Sequence, residues 1–512
     1  SIVINEKNRK WWILIAMTGT LSMILLDQTI LSVTLPKIQS ELHMSNKGLQ
    51  WIVNVYVLAM ASLVALCGKL GDISGRVRIF IIGVSVFALS SVMCGFSPNG
   101  GVFIFSRALQ GVGAALMYPS SAAIVNTTFA FNERGKAFSV YAGVSMCFLA
   151  LGPLLGGFFT EYVTWRWCFF INVPVAVFAI GLTLYVKPGE FKAERQKFEI
   201  MGALLLVIGC TSLVFWIQEL SNLGLFSVAS IIIFLIGLMS FTFFVYRELK
   251  SEDPLIAFRL FRCEHFSVNV CILFFVQFAS IGQVFFNGIF LQNVMDFPPF
   301  NAGIYMLFLV VPMIVGVQFS GRMFDKIGIK IPITIGLTCV FLGFTLSSLG
   351  VLLCSKFILA ISMILSGTGI SFVMGPANTD SLNRVPPADR GQASGIVQTF
   401  RQIGATIGIA VLASIYNFVE LRKLKGVMSS FSVKEDNVDV LVKALSFTKE
   451  QQHDMLFMIS SGDVNILISN LKSVMSESIA SAYCVGAFVI LISLSLAITF
   501  LKKGLQKRDP KF

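Results

Sequence analysis

Fourteen stretches of this chain are long enough and free enough of charge to cross a lipid bilayer, and that constrains the fold before any single residue is weighed. They lie near 12 to 35, 50 to 67, 79 to 97, 101 to 127, 137 to 160, 166 to 186, 199 to 218, 226 to 246, 266 to 290, 301 to 320, 331 to 350, 357 to 379, 393 to 418 and 480 to 501. In hydrocarbon the backbone N–H and C=O groups must be satisfied within the protein, so each span is expected to be a helix. Charged residues make up only 13% of the chain, against ~25% in soluble domains. The fold class is therefore all-α, a polytopic membrane protein with fourteen transmembrane helices.

An even number of spans puts both termini on one side, and the basic residues say which. If the N-terminus is cytoplasmic, Arg76, Arg78, Lys187 to Lys197, Arg247 to Arg262, Arg322 to Lys330 and Lys502 to Lys511 are all inside, while short outer loops hold only Lys37, Lys47, Arg166 and Lys356. The expected location is the cell inner membrane with both termini cytoplasmic. The net charge of +12 is thereby a topology signal and a contact for anionic headgroups of the lipid bilayer, with no nucleic acid implied. The six tryptophans, Trp11, Trp12, Trp51, Trp165, Trp167 and Trp216, fall at span ends as an interfacial belt. Cysteines such as Cys67, Cys147, Cys210 and Cys339 lie inside apolar runs without a CxxC spacing and read as small buried hydrophobes, so no metal site is expected. The first run is too long for a signal-peptide core and is expected to be a retained span.

That first run carries one acid, Asp27. Fifteen residues past Trp12, it lies roughly 22 Å into a ~30 Å core. An aspartate there costs ~3 kcal/mol and needs a cavity or a partner.

The chain also repeats itself. GxxxDxxG occurs at Gly68-Lys69-Leu70-Gly71-Asp72-Ile73-Ser74-Gly75 and again at Gly321-Arg322-Met323-Phe324-Asp325-Lys326-Ile327-Gly328. Arg134-Gly135 matches Arg390-Gly391, and Gly111, Gly113 and Pro119 match Gly367, Gly369 and Pro376, all at nearly the same offset. Two parallel copies of a six-span unit follow, a secondary-transporter architecture. The expected organisation is a first bundle over 1 to 198, two inserted spans over 199 to 248, and a second bundle over 249 to 512.

Features present in both copies are scaffold; features in one copy need another reason. Asp27 falls opposite Gln283, and Arg107 in span four falls opposite Met363. Asp27 and Arg107 both lie roughly 9 to 13 Å below the outer surface, where they can meet. Protonating the aspartate would then free the arginine, exchanging a proton for a different contact. His43, His265 and His453 lie in loops or at span ends, so a carboxylate must carry any proton. Glu219 and Asp296 sit near outer ends, where headgroups or water are within reach. Asp380, at the inner end of span twelve, is a further candidate for contact with substrate or proton, as are Gln110 and Gln283.

These residues resemble a known family, the fourteen-helix drug:proton antiporter branch of the major facilitator superfamily, over essentially the whole chain. Leu26-Asp27-Gln28-Thr29-Ile30 through Leu35-Pro36 resembles its first-helix signature, and Arg107-Ala108-Leu109-Gln110-Gly111-Val112-Gly113 its fourth-helix motif. The resemblance implies proton-coupling roles for Asp27 and Arg107. Gly152-Pro153-Leu154-Leu155-Gly156-Gly157 is similar to the fifth-helix antiporter motif, with Phe148 where a small residue is usual. The resemblance also makes Gly68, Asp72, Gly75 and Arg76, with Gly321 and Asp325 in the second copy, a cytoplasmic gate, in which Ile73 replaces a usual basic residue.

Segment 418 to 479 is the one long extramembrane piece and by parity faces outward. Apolar spacing through Val438, Leu441, Val442 and Leu445, then Val464, Leu467, Ile468 and Leu471, predicts two amphipathic helices forming a small cap. A periplasmic adaptor protein is a possible partner for it, a passive lid the simpler role. No GxxxxGK(S/T) loop is present, so no nucleotide cofactor is expected and energy comes from an ion gradient. The expected activity is proton-coupled export of lipophilic or amphiphilic small-molecule substrates by alternating access. Export of one metabolite or siderophore, nutrient import, or a non-transporting scaffold or sensor are the alternatives.

Overall fold

The computed structural model describes residues 4–130, 133–189, 199–386 and 390–504. The basic stretch 190–198 and the tail from 505 lie outside the described residues, as do the side chains of Arg134 and Arg390. Among the described residues there are fourteen helices of bilayer-crossing length and composition.

The first bundle holds α1 (Glu6–Leu42), α2 (Asn46–Ser74), α3 (Arg76–Gly95), α4 (Gly100–Thr128), α5 (Arg134–Tyr162) and α7 (Asn172–Val186), with the short α6 (Trp167–Phe170) leading into α7. Two more helices, α8 (Ile200–Leu223) and α9 (Val228–Lys250), precede the second bundle of α10 (Glu264–Ile289), α11 (Pro299–Ile327), α12 (Lys330–Leu352), α13 (Lys356–Asn383), α14 (Arg390–Phe431) and α17 (Val464–Phe500). Packing repeats with the sequence. In the first bundle α1 lies on α5, α3 and α2 on α4, and α1 on α7; in the second α10 lies on α14, α12 and α11 on α13, and α10 on α17. Contacts across the halves are paired in the same sense, α2 with α14 and α11 with α5.

Glycines set how closely these helices approach. A Cβ on Gly113 would sit 2.6 Å from the Phe87 backbone, and one on Gly369 would sit 2.5 Å from the Gly336 carbonyl, so the motif glycines of both copies let α4 and α13 press on α3 and α12.

The extramembrane piece differs from expectation. It is largely an extension of the spans: α14 runs without a break to Phe431, and α17 already begins at Val464 instead of near 480. The stripe Val464 to Leu471 is thus the first turns of α17, with Leu467 and Leu471 buried. Only α15 (Val438–Ala444) and α16 (Lys449–Ile459) form the separate cap. Once a helix is nucleated each added residue costs little, so polar residues extend it past the bilayer and hydropathy does not mark its end.

Two further expectations, for Trp165 and Cys147, need correction. Trp165 is wholly buried, donating from Nε1 to Glu41 at 2.7 Å and packing edge-on against Phe103 and Phe169, because it caps the bundle from within. Glu219 is partly exposed, beside Lys47 at 3.6 Å and Trp51 at 3.3 Å. Cys67 and Cys210 are buried, but Cys147 is exposed on α5.

Candidate functional site

Burial along α4 recurs at Phe103, Arg107, Gln110, Ala114 and Met117, the three-and-four spacing of one helix face. That face meets α1 at Asp27. Arg107 Nη1 donates to Asp27 Oδ2 at 2.7 Å and to Gln110 Oε1 at 2.7 Å, while its Nε donates to the Ile52 carbonyl of α2 at 3.2 Å. Gln110 Nε2 reaches the other carboxylate oxygen at 3.3 Å and Ser91 Oγ of α3 at 3.5 Å. Ser91 in turn accepts from Asn172 of α7 at 2.9 Å. The Tyr56 ring lies 4.4 Å from the guanidinium carbon.

Asp27 and Arg107 are each only 2% exposed, so the pair is sealed inside the first bundle in this conformation. Two desolvated charges are tolerable only when matched and hydrogen-bonded; removing one partner of such a pair costs about 3–5 kcal/mol. A proton on Asp27 would do the same thing chemically, leaving Arg107 with Gln110 and Ile52 alone. The sequence did not single out Ser91, Asn172 or Tyr56, which complete the chain of contacts from α7 to α1; no spacing rule links residues on different helices.

The second bundle builds this junction without charge. Gln283 donates to Ser347 and to Ser366, both at 3.0 Å. Counted along the repeat, Gln283 stands where Asp27 does, Ser347 where Ser91 does, Ser366 where Gln110 does, and the buried Met363 where Arg107 does, each 256 residues on (283 minus 27). Gln283 is thus a buried tie between α10, α12 and α13 with no opening to a cleft. Asp380 is tied as well, accepting from Asn269 at 2.7 Å and from Arg384 at 3.3 Å.

The antiporter-motif residues line α5 where it touches both halves. A Cβ on Gly152 would overlap Thr29 Oγ1, and one on Gly156 would lie 2.6 Å from the Ile30 carbonyl, both on α1. A Cβ on Gly157 would lie 2.6 Å from Phe300 Cα, and the Pro153 carbonyl blocks a Cβ on Gly303; both neighbours belong to α11 of the second half. On the same side Gly288 admits the Ser32 carbonyl, Gln292 donates to the Val33 carbonyl at 2.8 Å, and Gln50 and Asn417 exchange two hydrogen bonds of 3.0 Å. The halves therefore close on each other at the face opposite the basic turns. Toward the basic face, the hydrogen bonds that join them among the described residues are Gln398 to Tyr118 at 3.1 Å and Lys69 to the Asp253 carbonyl.

The two GxxxDxxG turns are unequal. Gly75 has φ +103°, a conformation that requires glycine, and Asp72 accepts from Arg76 Nε at 2.9 Å. A Cβ on Gly68 would sit 3.6 Å from Pro119 of α4. In the second copy Asp325 is exposed and unpaired among the described residues, and Gly321 has open space around it.

A duplicated bundle of fourteen helices, with an ion pair buried in one half and a neutral copy of it in the other, defines a secondary transporter. Residues 17–409 match the Major Facilitator Superfamily, and the chain belongs to that family, in its fourteen-helix branch. It is 32% identical to "Multidrug resistance protein Stp" of Mycobacterium tuberculosis over 80% of this chain and 76% of that one. It is 31% identical to "Tetracenomycin C resistance and export protein" of Streptomyces glaucescens over 79% and 76%. The fold is shared with a bacterial homologue of the human lysosomal transporter Spinster, solved inward-facing and unoccupied, at a TM-score of 0.63 and 16% identity over 98% of this chain and 99% of that one.

Proposed function

We propose that this transporter exports lipophilic or amphiphilic small molecules from the cytoplasm across a cell inner membrane in exchange for protons, with its basic face and both termini cytoplasmic. The observation that carries the reading is the buried Asp27–Arg107 pair set against its neutral copy at Gln283 and Met363. A charge pair that the scaffold does without in one half is there to change state in the other. Protonation of Asp27 from outside releases Arg107 from it, and the rearranged α1 and α4 shift the balance between conformations open to either side. Closure at α1, α5, α10 and α11 leaves the cytoplasmic side as the one from which cargo enters. The names of the relatives support drug-like cargo; that of the tetracenomycin protein also keeps a dedicated natural-product exporter in view. On α16, Phe457 and Met458 are 69% and 80% exposed, an apolar spot suited to a periplasmic adaptor.

The test is accumulation of a lipophilic dye in exporter-deficient cells expressing the protein. Lower accumulation than in control cells, restored by an uncoupler, is the expected result. Equal accumulation, with release of one endogenous metabolite instead, would replace drug efflux by the dedicated-exporter reading.

A further inference from the structure

The apolar span 393 to 418 contains one cation, Arg401. Eleven residues from the start of α14, Arg401 lies roughly 16 Å along the helix, at membrane depth. A cation there costs about 3 kcal/mol and is ordinarily paired. Arg107 is paired with Asp27 and Arg384 with Asp380. Arg401 has no such partner: its Nε is buried without an acceptor, and no carboxylate or carbonyl among the described residues takes a hydrogen bond from its guanidinium.

Its position is between the halves. Gln398, Ala405 and Ile409 share its helix face at three, four and eight residues' distance. Gln398 bonds to Tyr118 of α4, and Ala405 and Ile409 are buried in the apolar cluster built mainly by the first half. Gln398 stands three residues before Arg401, nearly one helical turn, so the Tyr118 oxygen that it reaches lies along the face that carries Arg401. The Tyr118 oxygen already accepts from Gln398, so its own proton is left without an acceptor among the described residues. A guanidinium whose Nε is buried and a phenol O–H thus lie near one another between the halves, both donors and neither with an acceptor among the described residues.

We propose that Arg401 and Tyr118 form an anion subsite between the halves, which binds an acidic group (carboxylate, sulfonate or phosphate) carried on an apolar body. This rests on the transport reading above for its purpose, but the binding is testable alone. The acidic group belongs to cargo or to a lipid headgroup; the chemistry is the same, and the Tyr118 ring supplies neighbouring apolar surface.

The probes are anilinonaphthalene sulfonate and its uncharged parent, N-phenyl-1-naphthylamine, which share a ring system and differ by the acidic group. Binding to protein in phosphatidylcholine vesicles is measured for wild type, Arg401→Gln, Arg401→Lys and Tyr118→Phe. The sulfonate is expected to bind about tenfold more weakly to Arg401→Gln, less weakly to Arg401→Lys and Tyr118→Phe, with the uncharged parent unchanged in all. Adding phosphatidylglycerol assigns the source: weaker sulfonate binding in wild type but not in Arg401→Gln makes the headgroup the resident anion, and no change leaves the site to cargo. Equal sulfonate binding in wild type and Arg401→Gln overturns the proposal, as does an equal loss for both probes, which would mark Arg401 as structural. Pumping of neither probe by wild type, with the sulfonate difference intact, would sink the transport reading and leave the subsite standing.

Discussion

Asp27 and Gln283 occupy the same place in the two repeats, yet Asp27 is held by a guanidinium at 2.7 Å and Gln283 by two serine hydroxyls at 3.0 Å. One scaffold thus accepts a charged junction and a neutral one.

From this it follows that removing both charges is gentler than removing one. Arg107→Met alone strands a carboxylate and is expected to destabilise the protein by about 3–5 kcal/mol. Asp27→Asn with Arg107→Met reproduces the chemistry of the second half and is expected to recover most of that loss. Thermal unfolding of the purified variants measures the difference; additive effects would mean that the two side chains are not coupled.

The closed face depends on glycines that have no room for a side chain. Gly288→Val would force Ser32 away and favour the conformation open on that side. With the exposed Cys147, Cys271, Cys354 and Cys484 replaced, spin labels at Lys37 and Lys425 should lie farther apart in Gly288→Val than in the parent. An unchanged distance would show that the contact does not control closure.

Gly75 joins α2 to α3 at φ +103°. Gly75→Ala is expected to cost about 1–3 kcal/mol through backbone strain. Asp72→Asn, which weakens a partly exposed ion pair with Arg76, should cost less than about 1 kcal/mol. Unfolding midpoints of the two variants rank them; the reverse order would move the weight of this turn from backbone to charge.

Glu420 is buried where α14 meets α2, and Tyr416 at 3.0 Å and Asn46 at 3.1 Å both donate to its Oε1. The nearby cations are engaged elsewhere, Lys47 with Glu219 and Lys423 with Glu477. A glutamine keeps an acceptor for both donors and removes a buried charge, so Glu420→Gln is expected to unfold at the same temperature as wild type or higher. A marked fall would mean that the carboxylate itself holds the seam.

Hydropathy revealed the spans because it is an average over many residues, and the offset repeats revealed the duplication. Asp27 and Arg107 stood out because a lone charge in an apolar run is conspicuous. Arg401 escaped because the surrounding run is so apolar that a window absorbs one cation. The seam of Gln50, Asn54, Thr406 and Asn417 escaped for a different reason: uncharged polar residues on one helix face carry no signal until the facing helix is known. Gln283, singled out as the repeat counterpart of Asp27, and Asp380, singled out from its place at the inner end of a span, are tied to side chains of their own half. Chain geometry gives depth, but packing decides which way a side chain looks.

The central claim is that ionisation of Asp27 couples the proton gradient to cargo movement. Purified protein in liposomes under an imposed pH gradient tests it most directly, by following whether a lipophilic dye is moved against its own gradient. Wild type is expected to concentrate the dye, and Asp27→Asn only to let it equilibrate. Uphill movement by Asp27→Asn at the wild-type rate would contradict the account.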